Sequence, residues 1–184
     1  MHKISQLLLC CLLPLTLASC GEALTGGQRL TVSIEPLRYF VENVAGDKFV
    51  VTTLVPTGAS PETYELTPQQ VVEMSDSRAY FTVGTLGLEK TRLQKLTENA
   101  PELVTVNVSD SIPLMTTDET NCTDEHHGHL HSDGVDLHTW TSTTSARAIV
   151  KRICHALVEL DSANAAFYAH RSDSLLAHID SIDV

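Results

Sequence analysis

Between Asp124 and His131 the chain reads Asp124-Glu125-His126-His127-Gly128-His129-Leu130-His131. Four imidazoles within six residues, beside two carboxylates, are suitable donors for zinc and other borderline divalent metals. No regular element holds them, so the segment implies a flexible collecting site of modest affinity rather than a tetrahedral site of fixed spacing. The competing reading is a solvated, compositionally biased loop.

Two further segments carry possible ligands. Asp136-Leu137-His138-Thr139-Trp140 places one histidine where this polar region meets a helix. A lone histidine is ordinarily a hydrogen-bonding group of core or surface, and Trp140 is an apolar anchor for the junction. Gly58-Ala59-Ser60-Pro61-Glu62-Thr63-Tyr64-Glu65-Leu66-Thr67-Pro68 is a loop by its turn residues. Glu62 and Glu65 are either ligands or solvated acids there. The chain has no His-Glu-x-x-His, no Gly-x-Ser-x-Gly elbow and no paired acid–base motif, which argues against a metallohydrolase and for binding rather than catalysis.

Alternating strands and helices must position these residues. Leu30–Ile34, Phe49–Val55, Ala79–Val83 and Leu103–Val108 read as strands. A helix opened by Pro36 carries Leu37, Phe40, Val41 and Val44 and closes at Gly46. Gln69–Ser75 and Leu88–Asn99 read as further helices. The alternation predicts an α/β fold: a parallel sheet flanked by helices on both faces, with ligands past the carboxyl ends of the strands. The loop after the second strand, carrying Glu62, lies at that edge. From Ser109 to Gly134 the chain turns polar and cannot bury a core. Beyond it, Ala146, Ile149, Val150, Ile153, Leu157 and Val158 form one helical stripe with N-caps at Ser142–Ser145. After a break at Asp161-Ser162, a second stripe runs through Tyr168, Leu175 and Ile179 to the last residues.

The ends and bulk properties narrow the setting. Residues 1–19 read as a signal peptide: Lys3, an apolar run over Leu7–Leu17, then Ala18-Ser19 before Cys20. Small residues directly before a cysteine are a lipobox, so Cys20 is expected to be lipidated and to anchor the chain in a bacterial envelope membrane. Residues 20–29 would form the tether, loosest at Gly26-Gly27. Cys10 and Cys11 leave with the signal peptide. The two cysteines that remain, Cys122 in a polar loop and Cys154 on the apolar stripe of a helix, could pair in an oxidising envelope, but are expected as one free loop thiol and one buried thiol. A formal net charge of -11 over 184 residues lacks the basic footprint that a nucleic-acid partner demands.

Taken in order, these segments resemble the metal-specific solute-binding proteins of ABC importers, the zinc and manganese binders. Ser33-Ile34-Glu35-Pro36-Leu37 matches that family's Ser-x-x-Pro-Leu. Gly46-Asp47-Lys48-Phe49-Val50-Val51-Thr52-Thr53-Leu54-Val55-Pro56-Thr57-Gly58-Ala59 matches its Gly-Asp-x-x-Val-x-x-Leu-Val-Pro-x-Gly-Ala stretch, apart from small spacing differences at Val50 and Leu54. Where the family has Asp-Pro-His-x-Tyr/Phe-Glu-Pro, the chain has Ser60-Pro61-Glu62-Thr63-Tyr64-Glu65-Leu66, so Glu62 stands at the first ligand histidine. His138 corresponds to the second ligand, within the family's Asp-Pro-His-x-Trp.

The resemblance runs from about Leu30 to the end and includes the histidine- and acid-rich loop of the zinc branch, here residues 118–134. It implies an N-terminal metal-binding lobe over 30–140 and, over 141–184, linker helices including a long interlobe helix. It further implies a C-terminal lobe, mostly missing here, that supplies the remaining ligands; ending at Val184 inside a helical stripe, the chain reads as a fragment. The metal implied is zinc, with manganese as the alternative because Glu62 is an oxygen donor. The partner implied is a membrane permease. The rival reading is an envelope metal buffer or adhesin-like lipoprotein with no transporter. His155, His170, His178 and Asp183 match no family ligand and read as surface groups.

Overall fold

The computed structural model describes residues 28–98, 100–110, 112–113 and 138–182. The expected signal peptide, Cys20, most of the expected tether, Cys122, the histidine run with Asp124 and Glu125, and Asp136, Leu137 and Asp183 lie outside the described residues. Among the described residues no helix is long and apolar enough to cross a membrane.

Four strands form one parallel sheet: β1 (Gln28–Val32), β2 (Phe49–Thr53), β3 (Ala79–Thr82) and β4 (Val104–Asn107), in the order β2-β1-β3-β4. β1 pairs with β2 from Gln28↔Phe49 to Val32↔Thr53, and with β3 from Leu30↔Ala79 to Val32↔Phe81. β3 pairs with β4 from Ala79↔Val104 to Thr82↔Asn107. Gln28 and Arg29 therefore belong to the sheet, not to the tether expected through residue 29. β1 also stops at Val32, two residues before its expected end, because Ile34 already caps the next helix.

The chain leaves β1 for β2 on one side and then returns to β3 on the other. Right-handed crossovers put the connecting helices of these two turns on opposite faces. α1 (Glu35–Ala45) lies on one face together with the C-terminal helices, and α2 (Pro68–Ser75) and α3 (Gln94–Glu98) lie together on the other. Leu30, Val32 and Phe81 in the central strands are buried between the two layers. The reversal falls between the carboxyl ends of β1 and β3, where such folds bind ligands.

Local chemistry fixes the element ends. α2 starts at a complete capping box: Gln70 N–H donates to Thr67 Oγ1 at 3.2 Å, and Thr67 N–H to Gln70 Oε1 at 2.9 Å. Gly46 ends α1 at φ +60°, and its missing side chain makes room for Phe167, whose Cζ would lie 2.7 Å from a Cβ there. The helix expected over Leu88–Asn99 begins as a wide π-helical turn, Glu89–Leu93, before continuing as α3.

The two C-terminal stripes are α4 (Thr143–Leu160), capped by Ser142 Oγ on Ser145 N–H at 3.1 Å, and α5 (Ala165–Ile182). The break at Asp161 is a full reversal. Arg147 in the first turns of α4 meets Asp180 near the end of α5 at 2.6 Å, so the helices run antiparallel, and both pack on α1. Asp161 Oδ2 accepts from Tyr168 Oη at 2.6 Å and from Asn164 Nδ2 at 2.7 Å. These bonds hold the Asp161 carboxyl below its ordinary pKa, Tyr168 first and Asn164 next. Cys154 sits half-buried on α4 against the core, less enclosed than the buried thiol expected, while His155, His170 and His178 are exposed surface groups, as expected.

Gly46→Ala should cost about 2 kcal/mol or more, from a backbone conformation disfavoured for L side chains and a collision with Phe167; thermal unfolding measures it. Because the folded Asp161 pKa is depressed, its stabilisation is present above the unfolded value of about 3.9 and is lost as pH falls through the folded value. Asp161→Asn should therefore flatten the acid limb of a stability–pH curve.

Candidate metal centre

The exit of β3 is organised by a residue that the sequence did not single out. Glu89 is buried, with 7% of its surface exposed. Its carboxylate accepts the backbone N–H of Val83 at 2.8 Å, Gly84 at 2.7 Å and Leu86 at 3.3 Å. It also accepts the hydroxyl of Ser33, just past β1. Ser33 has one proton and gives it to Glu89, so in its 2.6 Å bond with Tyr80 the phenol is the donor. Burial first, and the charge of Glu89 second, push the Tyr80 pKa well up, which keeps that proton in place. Only the match to Ser-x-x-Pro-Leu touched this network beforehand. An acid in the first turn of a helix is normally a solvated, dipole-favoured residue, and its burial has no sequence signal.

The same edge positions His138. Past β4, Val108 N–H donates to Thr82 O at 2.9 Å, and Ser109 N–H donates to Asn107 Oδ1 at 2.9 Å. The Asn107 side chain occupies the space beside Gly84 (φ +85°), where a Cβ would lie 2.3 Å from Nδ2. Ser109 and Thr139, both buried, share a hydroxyl hydrogen bond of 3.1 Å. This bond brings the chain back to the end of β4 immediately after His138. His138 is exposed and meets Trp140 edge-on, with ring centroids 5.3 Å apart, while Trp140 packs against the core as expected. His138 O closes a 3-10 turn by accepting Thr141 N–H at 3.1 Å.

Glu62 lies at the same edge, in the loop after β2. Thr63 and Tyr64 N–H both donate to Ser60 O, at 3.2 and 2.9 Å, which curls the loop into a helical turn around Glu62. Gln70 Nε2 donates to Leu54 O at 2.8 Å and roots the loop at the exit of β2. Glu62 is exposed, and its Oε2 rests against Gly87 beyond β3, 2.6 Å from where a Cβ would stand. Glu65 turns away to pair with Arg92 at 3.1 Å on the surface.

The exits of β2, β3 and β4 thus carry Glu62, its seat at Gly87, and His138 along one edge. Among the described residues no three His, Cys, Asp or Glu side chains converge. His126, His127, His129, His131, Asp124 and Glu125 fall outside those residues.

The fold defines a structural class: a parallel α/β lobe whose strand exits lie along one edge. Residues 30–184 match the family described as zinc-uptake complex component A, periplasmic, and the chain belongs to that family. It is 30% identical over 189 residues to the manganese-binding lipoprotein MntA of Halalkalibacterium halodurans, covering 100% of this chain and 58% of the relative. It is 27% identical to the high-affinity zinc uptake system protein ZnuA of Bacillus subtilis, covering 92% of this chain and 56% of the relative. A crystal structure of a ZnuA deletion mutant with zinc bound superposes with a TM-score of 0.72 at 30% identity, over 84% of this chain and 55% of that one. The chain therefore spans a little over half the length of these relatives. The family and these relatives are transport-binding components, not enzymes.

Glu89→Ala should destabilise the lobe by roughly 3 kcal/mol, because three backbone donors and the Ser33 hydroxyl lose a charged acceptor. A lower urea midpoint with unchanged slope is the expected readout.

Proposed function

We propose that the protein captures a divalent transition metal outside the cytoplasm, zinc in the first instance, and hands it to the membrane permease of an ABC importer. In this reading residues 1–19 are a signal peptide and Cys20 carries the lipid anchor. His126, His127, His129 and His131, with Asp124 and Glu125, collect the ion. His138 and Glu62 grip it at the carboxyl edge of the sheet, and residues 141–184 lead toward a second lobe that completes the coordination.

The observation that carries the reading is the anchoring of both candidate ligands at that edge, His138 through Thr139 on Ser109 and Glu62 on Gly87. Membership of a zinc-uptake family supports it. The imidazole donors favour zinc, while Glu62, a carboxylate at the position of a family histidine, adds a negative charge and a harder donor that keeps manganese within reach. Relatives named for manganese and for zinc are consistent with either ion.

His138→Ala should weaken zinc binding at least about tenfold in calorimetric titration; an unchanged affinity removes His138 from the site. Glu62→His should raise the zinc-to-manganese affinity ratio, measured by competition titration.

A further inference from the structure

Among the described residues three glycines adopt positive φ, at positions 46, 58 and 84, and Gly87 is not among them. Its backbone is one that any residue adopts, so conformational freedom does not explain a glycine there. What the position does require is space. A Cβ on Gly87 would stand 2.6 Å from Glu62 Oε2 and 3.7 Å from Glu62 Cδ, and beyond its chain neighbours and its own helix backbone it would meet nothing else within 4 Å.

The two sides of this contact differ in stiffness. Leu86 and Leu88 flank Gly87 and are each only 2% exposed. The N–H of Leu86 is held by the buried Glu89 carboxylate at 3.3 Å. The Glu62 carboxylate is the free end of an exposed side chain. A methyl group at position 87 would therefore displace the carboxylate and leave the loop where it is.

We propose that Gly87 is a positioning residue for metal binding: the absence of a side chain there is what lets the Glu62 carboxylate settle over the exit of β3. The proposal rests on the reading of Glu62 as a metal ligand. It gives the histidine-to-glutamate change a structural complement, because the carboxylate is placed by a second element and not by its own loop alone.

Calorimetric titration of the full chain with zinc chloride and, separately, manganese chloride tests this on wild type, Gly87→Ala, Glu62→Ala and the double variant. Gly87→Ala should melt at or slightly above the wild-type temperature and bind metal about tenfold more weakly, the size expected when a group that orients a ligand is disturbed. The double variant should bind no more weakly than Glu62→Ala, since Gly87 acts only through that carboxylate. Wild-type affinity in Gly87→Ala, with weakened binding in Glu62→Ala, overturns the proposal and leaves Glu62 a ligand. Additive losses in the double variant overturn it as well. Wild-type affinity in Glu62→Ala removes the ligand reading of Glu62, and the role of Gly87 with it.

Discussion

A strand that ends at the carboxyl edge of a parallel sheet leaves backbone N–H groups without ladder partners, and buried donors must find an acceptor. At the exit of β3 one carboxylate meets that demand, with Glu89 taking the N–H groups of Val83, Gly84 and Leu86. Burying an acid is costly unless its charge is compensated by hydrogen bonds, and here three amides and the Ser33 hydroxyl supply them. The bond to Ser33 matters beyond its own energy. It ties the end of β1 to the end of β3 across the point where the chain reverses direction, so the two strand exits form one rigid corner.

The candidate ligands depend on that corner without touching it. The loop bearing Glu62 is rooted at one end by Gln70 on Leu54 O and lies against Gly87 in the segment that Glu89 holds. His138 follows a long polar stretch, yet the buried Ser109–Thr139 bond returns the chain to the end of β4. Asn107 links that strand end to Gly84, closing the chain of contacts from β4 back to the Glu89 corner. Loops can hold ligands in register only where their roots are fixed by the scaffold.

On the opposite face the helical hairpin stiffens the lobe. α1 packs on β1 and β2 and against both α4 and α5, and Phe167 fits against Gly46 at the end of α1. Tyr168 reaches back to Asp161 in the reversal, while its ring lies 6.4 Å from that of Phe49 in β2. The apolar stripe of α4 and that of α5 are therefore satisfied by each other and by α1.

The alternation of strands and helices was legible in the residues themselves. Runs of β-branched residues and apolar stripes of helical period are local properties, and so are the cap at Ser142 and the stop at Gly46. Family resemblance added Glu62 and His138 as candidate ligands, because their motifs are short and ordered along the chain. The rest is decided only when segments distant in sequence meet. That Glu89 is buried, that Asp161 reverses the chain instead of bending it, and that Gly87 makes room for Glu62 each depend on contacts no local pattern encodes. A glutamate after Leu88 reads as solvated until the amides of β3's exit close around it, and a glycine between two leucines reads as a simple turn until a carboxylate from another loop needs its space.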